Sequence, residues 1–398
     1  MTTEHVIRLK PKTKPQAIRH GFPWVFADEV VTDRRTRAIP PGSFAVLEDP
    51  ERRPLALVTV NPNSRIFARV MDADPQAQVD AAWLETRLTR ALRLRERLYD
   101  QPFYRLVHAE ADGLPGVIID RFGDHAVIQP NAAWSDEMAP LIAEALRAVT
   151  GVGTVILNGQ GRTRGLEGLT ERTEVLAGTA PEAPIRVPMN GATYLADLMG
   201  GQKTGLFYDQ RPNHAFAQRL ATGRVLDVFS HVGGFGLAML AAGAEHATFI
   251  DGSAPALSLV QQGAQAMDLD PDRTEMIQQD AFAALETLAA EGRRFDVVIC
   301  DPPTFAPAKP ALEAGLRAYE RIARLAAPLV APGGYLGLCS CSHAADLTSF
   351  RNASARGIGR GGRRAQLIHT GQAGPDHPML PQLAETGYLK ALFFRLDG

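Results

Sequence analysis

Apolar positions follow different rhythms along this chain. In the first 72 residues they come as short runs at 44–47, 55–60 and 66–71, broken by Pro40-Pro41-Gly42 and Asn61-Pro62-Asn63. Runs of that length between such breakers predict strands and tight turns, hence a small β-rich module over residues 1–72. Between 76 and 190 helical and strand periods alternate. A helix carries Leu84, Leu88 and Leu92 on one face; strands follow near 117–119 and 126–129, a helix near 135–149 and a strand at 154–158. This predicts a central α+β domain over 76–190, with 178–184 as a linker or long loop. From about 195 the rhythm becomes regular, with strand candidates at 224–229, 247–251, 274–278, 295–300, 335–339, 365–369 and 388–394. Helical stretches separate the first five, which predicts a mostly parallel sheet covered on both faces over 191–398. The last two strands have a shorter connection and are expected as an antiparallel pair.

Composition narrows the class. With 45% hydrophobic and 22% charged residues in 398, the chain suits a globular protein of two or three domains. No apolar run reaches the ~20 residues of a membrane span, and the N-terminus lacks the apolar core of a secretory signal. A cytoplasmic protein with no membrane partner is expected. The net charge of −2 conceals an asymmetry, because residues 1–70 hold twelve Lys and Arg against seven Asp and Glu. Arg87, Arg90, Arg93, Arg95 and Arg97 are expected to fan over the polar side of the Leu84/Leu88/Leu92 helix. Such a surface suits a polyanion such as RNA, although a merely solvated helix face has the same charge pattern.

The chemistry-bearing residues cluster at the ends of the predicted strands, where open α/β sheets bind ligands. The first strand runs into Phe229-Ser-His-Val-Gly233-Gly234-Phe235-Gly236, whose glycines let a ligand approach the backbone; tight packing alone would also use them. It is neither a dinucleotide fingerprint nor a phosphate loop. The second strand ends at Asp251, placed to accept from ribose hydroxyls, and the third at Asp280-Ala281, placed to accept from an adenine amino group. A lone Asp there can equally be a helix N-cap. Glycines and two acids on three successive strand ends form a nucleoside-shaped set. The fourth ends in Asp301-Pro302-Pro303-Thr304-Phe305, a rigid, donor-poor backbone suited to holding a flat base against Phe305.

The fifth strand ends in Cys339-Ser340-Cys341-Ser342. Its two cysteines share a face, and Cys341 lies nearer the ligand end. The three cysteines (with Cys300) form no CxxC pair or zinc spacing, so neither a disulfide framework nor a metal is expected. A thiolate at Cys341 suits addition to C6 of a pyrimidine, which makes C5 nucleophilic enough to take a methyl group. Cys300 and Cys339 read as small buried hydrophobes.

Taken together, these residues resemble the bacterial 23S ribosomal RNA cytosine-C5 methyltransferases with an N-terminal PUA domain, over essentially the whole chain. His20-Gly-Phe-Pro-Trp24-Val-Phe26 is similar to the opening of the PUA module, and 110–123 resembles the family's central domain. Gly201-Gln-Lys203-Thr-Gly-Leu-Phe-Tyr-Asp209-Gln210-Arg211 resembles a segment lying beside the cofactor. The resemblance implies a Rossmann-like class I methyltransferase domain preceded by a small PUA β-barrel and an α+β domain. It implies S-adenosyl-L-methionine as cofactor, leaving S-adenosyl-L-homocysteine, held by Gln210, Arg211, Phe229, Gly233, Phe235, Asp251, Gly252, Asp280 and Ala281. Lys203, Pro302, Pro303 and Phe305 would contact the substrate base, Asp301 would stand between methyl donor and base, and Cys341 would be the nucleophile. The implied partner is 23S rRNA or an assembling large ribosomal subunit; a homodimer is left open. His231-Val232 and Gln261-Gln-Gly-Ala-Gln depart from the family's pattern, and Asp376-His377-Pro378 resembles it without an assigned role.

Two other readings fit some of the same residues. A nucleic-acid methylase acting on an exocyclic amine would use Asp301-Pro-Pro-Thr-Phe305 without any thiol. A non-catalytic ribosome-assembly factor would bind RNA without turnover.

Overall fold

A computed structural model of the chain describes residues 5–200 and 205–397. Contacts divide it into two units: Met1–Ala183 with Leu198–Gly205 and Pro375–Thr386, and Pro184–Asp197 with Leu206–Gly374 and Gly387–Gly398.

The first unit holds two sheets. Strands His5–Arg8, Phe44–Glu48, Pro54–Val60, Ile66–Asp72 and Trp24–Phe26 lie side by side in that order. All neighbours are antiparallel except His5–Arg8 and Phe44–Glu48. A bridge between Leu9 and Val30 joins the segments beyond the two edge strands and curls the sheet on itself. Period-two alternation on Phe44–Glu48 turns Ala45 and Leu47 into a core with Ile7, Val25, Val58 and Phe67. The second sheet orders Arg172–Ala177, Thr154–Gly159, His125–Pro130, Val117–Phe122 and Phe103–His108. Helices Ala81–Leu98 and Ala139–Thr150 pack with it, and Leu57 and Met71 of the first sheet join the same core.

The Arg-rich helix corrects one expectation. Asp80 caps it by accepting from Trp83 N, and Leu84, Leu88 and Leu92 are buried as expected. Arg90, Arg93 and Arg97 do face solvent. Arg95, however, is 0% exposed and forms a bidentate pair with Asp112 at 2.6 and 2.8 Å. Arg87 is half-buried over the Trp83 ring and donates to Asp72 at 2.7 Å. Position 95 lies seven after Leu88, so it falls on the apolar stripe and a charge there has to be paired. Arg95 also donates to the Asp376 carbonyl, while the Asp376 carboxylate accepts from Arg105 N. Asp376-His377-Pro378 therefore packs within the N-terminal unit.

The second unit is an open α/β sheet of seven strands: first Arg224–Val228, second His246–Asp251, third Thr274–Gln278, fourth Phe295–Cys300, fifth Val330–Ser340, sixth Ala365–Gly371 and seventh Lys390–Leu396. Their spatial order is third, second, first, fourth, fifth, seventh, sixth. The seventh runs antiparallel to both its neighbours, the fifth and sixth, and all other pairs are parallel. The central strands are continuous apolar runs because helices cover both faces. The order reverses between the first and fourth strands, which opens a crevice at their carboxyl ends. Ahead of the sheet stands a hairpin, Ile185–Met189 with Ala192–Ala196, turned by Asn190 (φ 55°) and Gly191 (φ 71°). It belongs to this unit, so the break expected at 190/191 falls inside its turn.

Candidate active site

The turn after the first strand is strained. Phe229 (φ 60°), His231 (φ 48°) and Gly233 (φ 84°) all lie in the left-handed region, and the helix Gly234–Ala241 begins directly afterwards. The backbone is held by Ser230 N donating to Ile250 O, Gly233 N to Ser230 O, and His231 N to the Asp251 carboxylate at 2.9 Å. The other Asp251 oxygen accepts from Ser253 N at 2.8 Å, which fixes this acid at the end of the second strand. Beneath the turn Asp227, 1% exposed, accepts from Gly236 N at 2.8 Å. Burial pushes its carboxyl up to about 8, helped by the charges of Asp301 and Asp251 and opposed by the Gly236 hydrogen bond. Sequence reasoning passes over Asp227; its signal is an acid inside an apolar strand directly below a glycine turn.

The acid of the fourth strand is positioned from the segment before the sheet. Gln210 donates from Nε2 to Asp301 Oδ2 at 2.9 Å, and Asn213 donates to Gln210 Oε1 at 2.6 Å. Asp209 accepts from the Tyr388 hydroxyl at 2.6 Å, while the Arg211 guanidinium lies 5.5 Å from the Tyr208 ring. His214, wholly buried against Phe235 at 4.5 Å, is pushed down to about 3 by burial and stays neutral.

On the other side of the crevice lies Cys341. Its Sγ is 2.9 Å from Thr304 Oγ1, so the ends of the fifth strand and the two-proline segment meet at this thiol. Cys341 is half-buried, whereas Cys300 and Cys339 are buried and burial pushes both thiols up. A hydroxyl network fixes the flanks of Cys341: Ser340 Oγ donates to the Tyr319 hydroxyl at 2.9 Å, and that hydroxyl meets Ser342 Oγ at 2.7 Å. Ser342 Oγ also accepts from Ala306 N at 3.0 Å, tying the two-proline segment to the loop after Cys341. From the seventh strand Lys390 reaches the same loop, donating to Ser342 O and Ala345 O at 2.6 and 2.7 Å. Sequence reasoning misses Tyr319 and Lys390, although a lysine opening the apolar run Lys390-Ala-Leu-Phe-Phe is a visible anomaly.

Glycines, acids and a thiol thus converge on one edge of a sheet with a reversed strand order, and comparison with known proteins decides what the edge serves. Residues 156–395 match the S-adenosylmethionine-dependent methyltransferase family, and residues 7–73 match a PUA-like domain. The chain belongs to the S-adenosylmethionine-dependent methyltransferases. The protein called Ribosomal RNA large subunit methyltransferase I of Aeromonas salmonicida is 35% identical over 389 residues, covering 96% of this chain and 98% of that one. The protein of the same name from Cronobacter sakazakii is 32% identical over 383 residues, 95% and 96% of the two chains. A solved structure assigned as a methyltransferase and complexed with SAH aligns over 99% of this chain and all of its own, with a TM-score of 0.83 at 17% identity. That likeness shows the shared fold.

The cofactor of this methyltransferase is S-adenosylmethionine, and the residues present fit it. Ser230 Oγ is buried in the glycine turn with no hydrogen-bond partner among the described residues, and the carboxylates of Asp251 and Asp280 stand at the two neighbouring strand ends. The candidate residues do not all converge. Gly233, Gly252, Asp251, Phe229, Gln210, Asp301, Pro302 and Pro303 lie on or beside the crevice edge. Asp280 is exposed and caps Ala281–Ala290 through Ala283 N at 3.1 Å, which occupies one of its oxygens; Ala281 is buried in the first turn behind it. Phe235 is a correction: on the buried side of its helix and 2% exposed, it packs on His214 and offers almost no surface to a ligand. Phe305 turns its ring toward Tyr319 (5.0 Å), Phe282 (6.2 Å) and Phe229 (6.5 Å), so it builds an aromatic wall. Lys203 lies outside the described residues.

Proposed function

We propose that this methyltransferase modifies large-subunit ribosomal RNA at carbon 5 of a cytosine, through a covalent adduct between Cys341 and carbon 6. The observation that carries the reading is Cys341 itself: a half-exposed thiol at the carboxyl end of the fifth strand, bonded to Thr304 of the two-proline segment, while the other two thiols are buried. The full-length relatives named as ribosomal RNA large subunit methyltransferases support the substrate class, as do the PUA-like domain and the solvent-facing Arg90, Arg93 and Arg97.

When bound, S-adenosylmethionine supplies an electrophilic methyl group. The glycine turn with Asp251, Gly252 and Asp280 would hold its nucleoside, while Gln210 fixes the Asp301 carboxylate and Arg211 flanks that segment. The target cytosine enters unpaired or flipped out, against Pro302 and Pro303. The Cys341 thiolate adds to carbon 6, and the electron pair moves to carbon 5, which takes the methyl group. A base then removes the carbon-5 proton; the returning electrons re-form the 5,6 double bond and expel the thiolate. For that base we propose Asp301, acting through a water.

The test uses RNA containing 5-fluorocytidine, where fluorine at carbon 5 prevents the final proton loss. Wild type should form a denaturation-resistant protein–RNA complex in the presence of cofactor, and Cys341→Ala should form none. Methyl transfer to such RNA without any covalent complex would favour the exocyclic-amine reading, for which the Asp301-Pro-Pro segment is equally suited.

A further inference from the structure

Lys390 pairs across the sheet with Ser340, one residue before Cys341, and is only 9% exposed. Burying an ammonium is costly unless it is bonded and its charge is used. Its bonds go to the carbonyls of Ser342 and Ala345, which bracket the loop leaving Cys341. That loop is already held from the opposite side, where the Tyr319 hydroxyl and Ala306 N fix Ser342. A neutral donor would suffice to finish the fastening, so the positive charge calls for its own explanation.

The charges around the thiol supply one. From the fourth strand's end Asp301 contributes a carboxylate, and from the Leu312–Ala326 helix Tyr319 contributes a neutral phenol, raised by burial. The loop itself carries exposed His343, and Asp346 caps the Leu347–Arg360 helix through Ser349 N at 2.7 Å. Lys390 is the cation that reaches this loop from beneath. Burial lowers its pKa, while the charges of Cys341 and Asp346 act the other way and favour the ammonium.

We propose that Lys390 is a positioning residue for the nucleophile: it pins the loop after Cys341 and its charge favours the Cys341 thiolate over the thiol. The inference rests on Cys341 being the nucleophile of the proposed reaction. Asp346, the counter-charge of Lys390, tunes the effect in the opposite direction.

The test is the pH dependence of Cys341 alkylation by iodoacetamide in the full chain, read by peptide mass spectrometry. Lys390→Met should move the midpoint up by about one pH unit, making alkylation at neutral pH about tenfold slower. Lys390→Arg should stay near wild type, and Asp346→Asn, which keeps a capping side chain, should move the midpoint down. Loosening of the loop would shift both neutralising variants the same way, so opposite shifts are the signature. Coincident profiles for Lys390→Met and wild type, or equal-signed shifts in the two variants, would overturn the proposal. If Lys390→Met does not fold, Lys390→Gln, which keeps a donor for the two carbonyls without the charge, replaces it: an upward shift supports the proposal and an unchanged midpoint refutes it. The readout needs no turnover, so a Cys341→Ala enzyme that still methylates would sink the nucleophile reading separately.

Discussion

Replacing Asp227 by Asn probes the electrostatics under the glycine turn. The Asp227 carboxyl is buried, and its pKa rises from the ordinary 3.8 to about 8. An acid with a raised folded pKa keeps its proton in the native state over a range where the unfolded chain has lost it. Between pH 4 and 8 the native state therefore binds more protons, and stability must fall as pH rises. A window about four pH units wide, at about 1.4 kcal/mol per pH unit, gives a penalty of about 6 kcal/mol, complete above pH 8 and nearly absent below pH 4. Asn is uncharged and can still accept from Gly236 N, so Asp227→Asn should remove most of that slope. Thermal melts of both proteins at half-unit steps from pH 5 to 8.5 are the assay. The variant should lie close to wild type at pH 5 and exceed it by several kcal/mol at pH 8. Parallel curves over that range would show that Asp227 is ionised in the native protein and refute the reasoning.

Other perturbations test the packing. Arg95→Met removes the guanidinium donor from Asp112, which keeps only His108 N among the described residues, and from the carbonyls of Arg105 and Asp376. It should cost about 3–5 kcal/mol in urea unfolding and speed proteolysis within 375–386, and Arg95→Met/Asp112→Asn should recover part of the loss. Gly191→Ala meets no steric obstacle, since a Cβ there has nothing within 4 Å, but it must adopt φ near 71°. A loss of about 1–2 kcal/mol from this turn alone is expected in the same assay.

The sequence carries the fold furthest where burial is two-sided. The first, second, fourth and fifth strands of the large sheet carry buried apolar runs, the third (Thr274–Gln278) is a half-exposed edge strand, and each lies within a few residues of its expected place. The fifth begins earlier than its pattern suggests: Pro332-Gly333-Gly334 reads as a break, yet the strand runs from Val330. The Ile185–Ala196 hairpin escapes the pattern although Asn190-Gly191 is a strong type I′ signal. Its neighbours Pro188 and Thr193 weaken the apparent alternation, and the expected domain break falls inside its turn. Arg95 reads as solvent-facing when residue type outweighs spacing; the heptad step from Leu88 is the better guide.

Much of the candidate site is legible as a set of strand ends, because an open α/β sheet gathers those ends on one edge whatever their separation in the chain. What local pattern cannot show is which side chains meet. Thr304 and Cys341 are thirty-seven residues apart and bond only because the fourth and fifth strands are neighbours. Lys390 reaches the Cys341 loop from a strand that pairs antiparallel to the fifth. Phe235 and Phe305 read as ligand-facing from their motifs; Phe235 turns into the core, where an aromatic ring buries more area than beside a wet crevice, while Phe305 is half-buried in an aromatic wall.

The most direct measurement is methyl transfer from labelled S-adenosylmethionine to unmodified large-subunit rRNA, with wild type and Cys341→Ala compared and the product nucleoside identified. Wild type should yield 5-methylcytidine and the variant none. Undiminished methylation by Cys341→Ala, or a methyl group on an exocyclic nitrogen, would contradict the proposed chemistry.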